Sequence, residues 1–145
     1  MMFRETKNPA GLAQAHKIAA LILTLILSHP RLPADKIPYW DFDDPGIPDQ
    51  PHDSSAAAIM CSTLLELRTF VGAADTKRYS ALDAHQLRSL SSPACPAKLG
   101  ENGNFILTHA TAPKPSRSEI DVPINYGDDS FIEPFHRSQA GLAKK

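Results

Sequence analysis

The run from Leu12 to Leu27, LAQAHKIAALILTLIL, holds only four polar residues, Gln14, His16, Lys17 and Thr24, in sixteen positions. As a helix it has no wide wet face, so it must be covered on most sides, and the chain around it has to supply further helices. Its apolar heart, Ile18 to Ser28 behind Lys17, has the length and polarity of a signal-peptide core. The leader contains Glu5 as well as Lys and Arg, no small-x-small site follows before His29-Pro30-Arg31, and the stretch is shorter than the roughly 20 apolar residues that span a bilayer. A buried helix is the expectation. His29-Pro30 ends it, because the residue before proline is pushed out of the α region.

Other helices follow the same reasoning. Asp53-Ser54-Ser55 supplies N-cap chemistry for an apolar helix from Ala56 to Val71, stopped by Gly72, whose first turns, AAAIMC, allow close approach of neighbours. A third helix is expected from about Thr76 to Leu90, capped by Asp75 or Thr76. Tyr79, Leu82, Leu87 and Leu90 form its apolar stripe, Asp83 and Gln86 narrow it, and Lys77, Arg78 and Arg88 stay wet, so it should lie on the outside, half-exposed. A last helix begins near Asp128 to Ser130. Between these lie long loops: Pro30 to His52 with six prolines and the aromatic run Tyr39-Trp40-Asp41-Phe42, then Ser91 to Gly103, then Ala110 to Ser118. Loops of such length are functional or disordered as a rule, and the aromatics argue for order. Phe105-Ile106-Leu107-Thr108 reads as a short strand.

A chain of 145 residues suits one domain and can bury a core. With 42% hydrophobic and 21% charged residues, a net charge of −1 and a pI near 6.6, it has no electrostatic footprint for nucleic acid or an anionic membrane. Cys61 and Cys95 form no metal or redox motif and read as structural thiols, which leans toward a reducing, cytoplasmic setting. The histidines His16, His29, His52, His85, His109 and His136 are scattered. No metal and no cofactor are expected.

Six segments carry a resemblance. Ile37-Pro38-Tyr39-Trp40-Asp41-Phe42-Asp43 looks like the VPYWDFDAP segment of glycoside hydrolase family 88, the unsaturated glucuronyl hydrolases. Pro51-His52-Asp53-Ser54-Ser55-Ala56-Ala57-Ala58-Ile59 resembles that family's PRDSSAAAI helix start, and Leu64-Leu65-Glu66-Leu67 its LLEL continuation. His109-Ala110-Thr111 is similar to its HGT or HST turn, Ser118 to Pro123 to SEIDVPL, and Tyr126-Gly127-Asp128 to the YAD that opens its final inner helix. The resemblance implies an all-α fold, a partial (α/α)6 six-hairpin barrel of about four helices with a short β hairpin and long loops. It covers residues 1–139 as the C-terminal part of the barrel domain, followed by a polar tail at 140–145.

The resemblance also implies an activity. Family members hydrolyse lyase-derived oligosaccharides ending in a 4,5-unsaturated uronic acid. An Asp protonates C4 and helps water add at C5, and the hemiketal opens, which differs from two carboxylates flanking a glycosidic bond. That Asp precedes the matched segments, so no residue here inherits the role and the chain alone is expected to be inactive. A non-catalytic remnant binding carbohydrate or partner helices is the second reading.

The expected partner is an unsaturated uronate oligosaccharide, with self-association through uncovered inner-helix surface and neither nucleic acid nor membrane. Candidate substrate contacts are His109, Tyr126, Asp128, Trp40 and Asp53, each with a structural alternative. Trp40 and Tyr39 stack on a sugar or anchor their loop. Asp41 and Asp43 share a face of an extended segment, with loop hydrogen bonding favoured. Asp53 is an N-cap that also stands where a helix dipole favours a substrate carboxylate, and Asp128 repeats that position beside Tyr126. His109 sits where a strand yields to a loop. Lys114, Ser116 and Ser118 either meet a sulfate or carboxylate or stay solvated. Tyr126-Gly127-Asp128-Asp129-Ser130-Phe131 departs from the family's YADYYYL. Pro134 should make the last helix start late or kink.

Overall fold

The computed structural model describes residues 2–112 and 114–142; Met1, Pro113 and residues 143–145, with the end of the expected polar tail, lie outside them. Among the described residues five α-helices run in chain order: α1 (Met2–Thr6), α2 (Pro9–Ser28), α3 (Ser54–Leu67), α4 (Ala73–Leu90) and α5 (Asn125–Leu142). Short 3-10 turns occupy Arg68–Phe70, Asn102–Asn104 and Lys114–Ser116.

Caps set the helix starts. Asn8 caps α2 by accepting the Ala10 amide at 2.9 Å, with Pro9 in the first position, where its missing N–H costs nothing, so the helix begins before Leu12. Asp53 caps α3 through the amides of Ser55 and Ala56, at 3.1 and 3.2 Å. The expected stop near Val71 takes the form of a tightened turn at Arg68–Phe70. Gly72 precedes α4 without a side-chain cap, and Asp75 lies inside the first turn, where its charge suits the helix dipole. The last helix does not start late: it begins at Asn125 and carries the fully buried Pro134 inside it.

α3 is the centre of the fold. Ala57, Ala58 and Cys61 join Leu90, Leu107, Phe131 and Ile37 in one core, while Leu64 and Leu67 join Leu23, Ile26, Tyr79 and Leu82 in a second. α3 and α5 run parallel, since Ser55 meets Gly127, Ser62 meets Glu133 and Glu66 meets Arg137 in the same sequence direction. Gly127 permits the approach, because a Cβ there would stand 3.1 Å from the Ser55 Cβ. Both N-termini therefore point to one end of the molecule.

Three expectations change. α2 is not covered on most sides: Ala19, Leu23 and Ile26 are buried, but Ile18, Leu21 and Leu27 are exposed, because the described helices reach only one of its faces. At 20 residues it is also long and apolar enough to cross a membrane by length and composition. Asp83 and Gln86, read as polar residues that narrow the α4 stripe, are buried at 5% and 0% exposure against α3. No strand forms among the described residues; the hairpin is reduced to the isolated antiparallel bridges Pro96–Leu107 and Ala110–Val122. Asp128 takes the Ile106 and Leu107 amides that a further strand would need, and Pro96 has no amide to donate.

Candidate functional site

Two loops cross at the shared N-terminal end of α3 and α5. The first, residues 29–53, is drawn closed by the Trp40 amide on the Pro51 carbonyl at 3.1 Å and the Asp53 amide on the Pro38 carbonyl at 2.8 Å. Tyr39, buried, meets the His52 ring edge-to-face at 4.6 Å. Tyr39 thus anchors the loop.

Asp41 and Asp43 do not face each other as a catalytic pair. Asp41 accepts the Asp43 amide at 2.9 Å, and Asp43 lies 3.2 Å from Arg31 and 3.5 Å from His29, all within the loop. Trp40 donates its indole N–H to Asp44 at 2.9 Å. The Lys114 ammonium reaches the same Asp44 oxygen at 3.1 Å, bonds Gln50, and stands 4.5 Å over the Trp40 ring. The Gly46 amide, joined by Lys114 and Trp40, holds the Asp44 carboxyl below the usual carboxylate range against the opposing effect of burial. Lys114 therefore fastens the first loop to the second and covers one face of Trp40.

The second loop, residues 105–122, is stitched to both helix starts. Ser54 donates its amide to the His109 carbonyl at 3.1 Å and its hydroxyl to the Thr108 carbonyl at 2.5 Å. Asp53 Oδ1 accepts from the Ser55 hydroxyl at 2.6 Å and the Thr111 amide at 3.4 Å, besides its two capping amides. Asp128 accepts the Ile106 amide at 2.7 Å and the Leu107 amide at 2.8 Å, one on each oxygen. Both aspartates, read as substrate contacts, are engaged in holding the loop.

His109 and Tyr126 remain on the surface of this end. His109 is exposed, has a left-handed φ of 61°, and places Nδ1 2.6 Å from Asp121 Oδ1. Tyr126 is exposed on the first turn of α5. Ser116 and Ser118 sit on the exposed part of the second loop. The structure thus brings Trp40, Asp53, His109 and Lys114 to one end, with Tyr126 and Asp128 beside them. Asp44 and Asp121 escaped the sequence reading as site residues, although Asp44 directly follows the motif that ends at Asp43 and Asp121 lies within Ser118 to Pro123.

Toward the other end of the α3–α5 seam lies a second polar group. Arg137 bonds Glu66 at 2.9 Å and Glu133 at 2.5 Å, Arg4 approaches Glu66 at 3.5 Å, and Ser62 donates to Glu133. Ser62 and then Arg137 hold the Glu133 carboxyl below its ordinary range. A cleft of about 350 Å³ opens over these side chains. Among the described residues no three His, Cys, Asp or Glu side chains gather as metal ligands.

Parallel inner helices, alternating with α2 and α4 and presenting their N-termini to one loop-lined face, are part of an α/α barrel. No family model matches the chain. It is 44% identical over 144 residues to an unsaturated glucuronyl hydrolase of Formosa agariphila, a match covering 99% of this chain and 34% of that protein. The crystal structure of an unsaturated glucuronyl hydrolase specific for heparin superposes with a TM-score of 0.83 at 40% identity, covering 99% of this chain and 37% of the other. A Streptococcus agalactiae unsaturated glucuronyl hydrolase variant complexed with dGlcA-GalNAc6S superposes at 0.77 with 25% identity, covering 94% and 35%. The homologues of this chain are unsaturated glucuronyl hydrolases, and the chain spans about a third of their length, which fits their C-terminal part.

Proposed function

We propose that this chain forms the C-terminal wall of an unsaturated glucuronyl hydrolase pocket and does not turn over substrate by itself. The observation that carries the reading is the convergence of the α3 and α5 N-termini on residues 106–111, which leaves His109 exposed at the end where two helix dipoles favour an anionic sugar. In this reading His109, Tyr126 and the open face of Trp40 meet the uronate, while Asp53 and Asp128 hold the wall they stand on. Asp44, Asp53, Asp121 and Asp128 at this end each hold hydrogen-bond partners in the loops and helix starts, which agrees with a catalytic Asp supplied by the rest of the barrel.

The substrate class is a lyase-derived oligosaccharide ending in a 4,5-unsaturated uronate, and heparin products are the first to try because the 40% identical solved relative is specific for heparin. A reducing, cytoplasmic setting suits the two free buried thiols, Cys61 and Cys95. Following the chromophore of the unsaturated uronate tests the proposal. The chain alone is expected to leave it unchanged, and a preparation that includes the upstream two-thirds of such a barrel to consume it; turnover by the chain alone would overturn the account.

A second reading, a remnant that binds partner helices, is favoured by one feature. An apolar groove of about 280 Å³ between α2 and α3, lined by Ile18, Ile22, Ile59 and Thr63 among others, lies open to solvent.

A further inference from the structure

We infer that Asp121 is a positioning residue for His109: it accepts a hydrogen bond from Nδ1–H and so leaves Nε2 as the bare acceptor offered to a sugar hydroxyl. The inference rests on the pocket reading above and adds to it the residue that sets the histidine's chemistry. His109 Nδ1 stands 2.6 Å from Asp121 Oδ1. In a neutral imidazole a carboxylate at one nitrogen draws the proton there, and the other nitrogen becomes the acceptor.

The surrounding loop holds that contact in place. The two side chains are about half exposed, and an exposed pair of this kind contributes little to stability. Yet both residues are held in the left-handed region, φ 61° for His109 and 55° for Asp121, which non-glycine residues adopt at a cost. Three bonds enforce it. Ala110 and Val122 exchange amide bonds at 3.1 and 2.9 Å, and Thr111 accepts the Asp121 amide on its hydroxyl at 3.1 Å. The His109 carbonyl is tied in turn to the first amide of α3. The imidazole is therefore referenced to the same helix start that Asp53 caps.

Nitrogen NMR of the His109 ring in the intact chain is the test. The wild-type ring is expected as the Nδ1–H tautomer. Asp121→Gly tolerates the left-handed backbone while removing the acceptor, and should revert to the Nε2–H form preferred by free imidazole. Asp121→Asn keeps an acceptor oxygen and should retain Nδ1–H. Titration with an unsaturated heparin disaccharide should move the Nε2 resonance, and Asp121→Gly should weaken binding by about tenfold, the worth of one hydrogen bond. An Nε2–H ring in the wild-type chain overturns the inference even if a variant fails to fold. An Nδ1–H ring with no response of any His109 nucleus to the disaccharide leaves the tautomer standing and overturns the ligand assignment, and with it the pocket reading.

Discussion

Asp128 grips the backbone of Leu107 and its neighbour with both carboxylate oxygens, at 2.8 Å to the Leu107 amide and 2.7 Å to that of Ile106. Leu107 is buried in the α3–α5 core, so this side chain at the start of α5 fixes the first part of the loop that Ser54 and Asp53 hold further on. Asp128→Asn turns one acceptor into a donor facing an N–H. The expected loss is about 1–3 kcal/mol, read by urea unfolding, with faster hydrogen exchange at Ile106 and Leu107 before any change in α4. Unaltered exchange at those two amides would show that another contact positions the segment.

Asp83 should make the fold less stable in alkali than in mild acid. Burial between α4 and α3 pushes its carboxyl from 3.8 to about 6, partly opposed by the Arg68 charge and by a hydrogen bond with Cys61. The folded state holds this proton more tightly than the unfolded chain, so the contribution of the neutral acid is whole below pH about 4 and is lost as the pH rises through about 6. That loss is on the order of 3 kcal/mol for a shift of this size. Asp83→Asn should therefore raise the melting temperature at pH 8 and remove most of the slope between pH 4 and 7. A variant less stable than wild type at pH 8 would mean that the ionised carboxylate is favourably placed after all.

Whether a residue's role was legible depended on how far away its partner lies. Asp53 is read correctly as a cap because the amides it takes are two and three residues on. The exchange of bonds among Asp41, Asp43 and the loop is legible for the same reason. Asp83 and Gln86 are misjudged as an edge of the stripe because what buries them comes from elsewhere: Gln86 donates to the Lys36 carbonyl at 2.9 Å, fifty residues away in sequence. Asp128 reads as a helix start beside a pocket, and no local pattern reveals that its partners are amides 21 and 22 residues earlier. The site's family motifs were readable; the division between residues that face the pocket and residues that hold it was not.

Lys114 supplies a further prediction, with the single tryptophan as its reporter. The ammonium covers one face of Trp40 and compensates Asp44 at 3.1 Å. Lys114→Ala removes both contacts and unties the two loops, so Trp40 fluorescence should shift to the red and become more accessible to a neutral quencher. Asp44 loses one of the groups that lower its pKa, so its titration should move up toward the ordinary carboxylate range. Global stability should fall by about 1 kcal/mol, as befits a cation–π and ion pair that is partly open to solvent. An unchanged emission maximum would show that the loop's other contacts, the Tyr39–His52 pair and the Trp40–Pro51 bond among them, hold Trp40 without Lys114.

The uncovered face of α2 predicts behaviour in solution rather than in the pocket. Ile18 is 49% and Ile59 42% exposed, and both line the groove between α2 and α3, where contiguous apolar surface favours association. We expect the isolated chain to form concentration-dependent oligomers in sedimentation velocity. Ile18→Arg and Ile59→Arg should each shift it toward monomer without lowering the melting temperature, since neither side chain belongs to the buried core. Association through the polar cleft instead, which Ile59 also lines, would leave Ile18→Arg oligomeric, and Glu133→Ala, which removes a partner of Arg137, would be the change that dissolves it. A wild-type chain that stays monomeric across the whole concentration range would show that the exposed groove is tolerated in water, and would remove the main support for a partner-binding role.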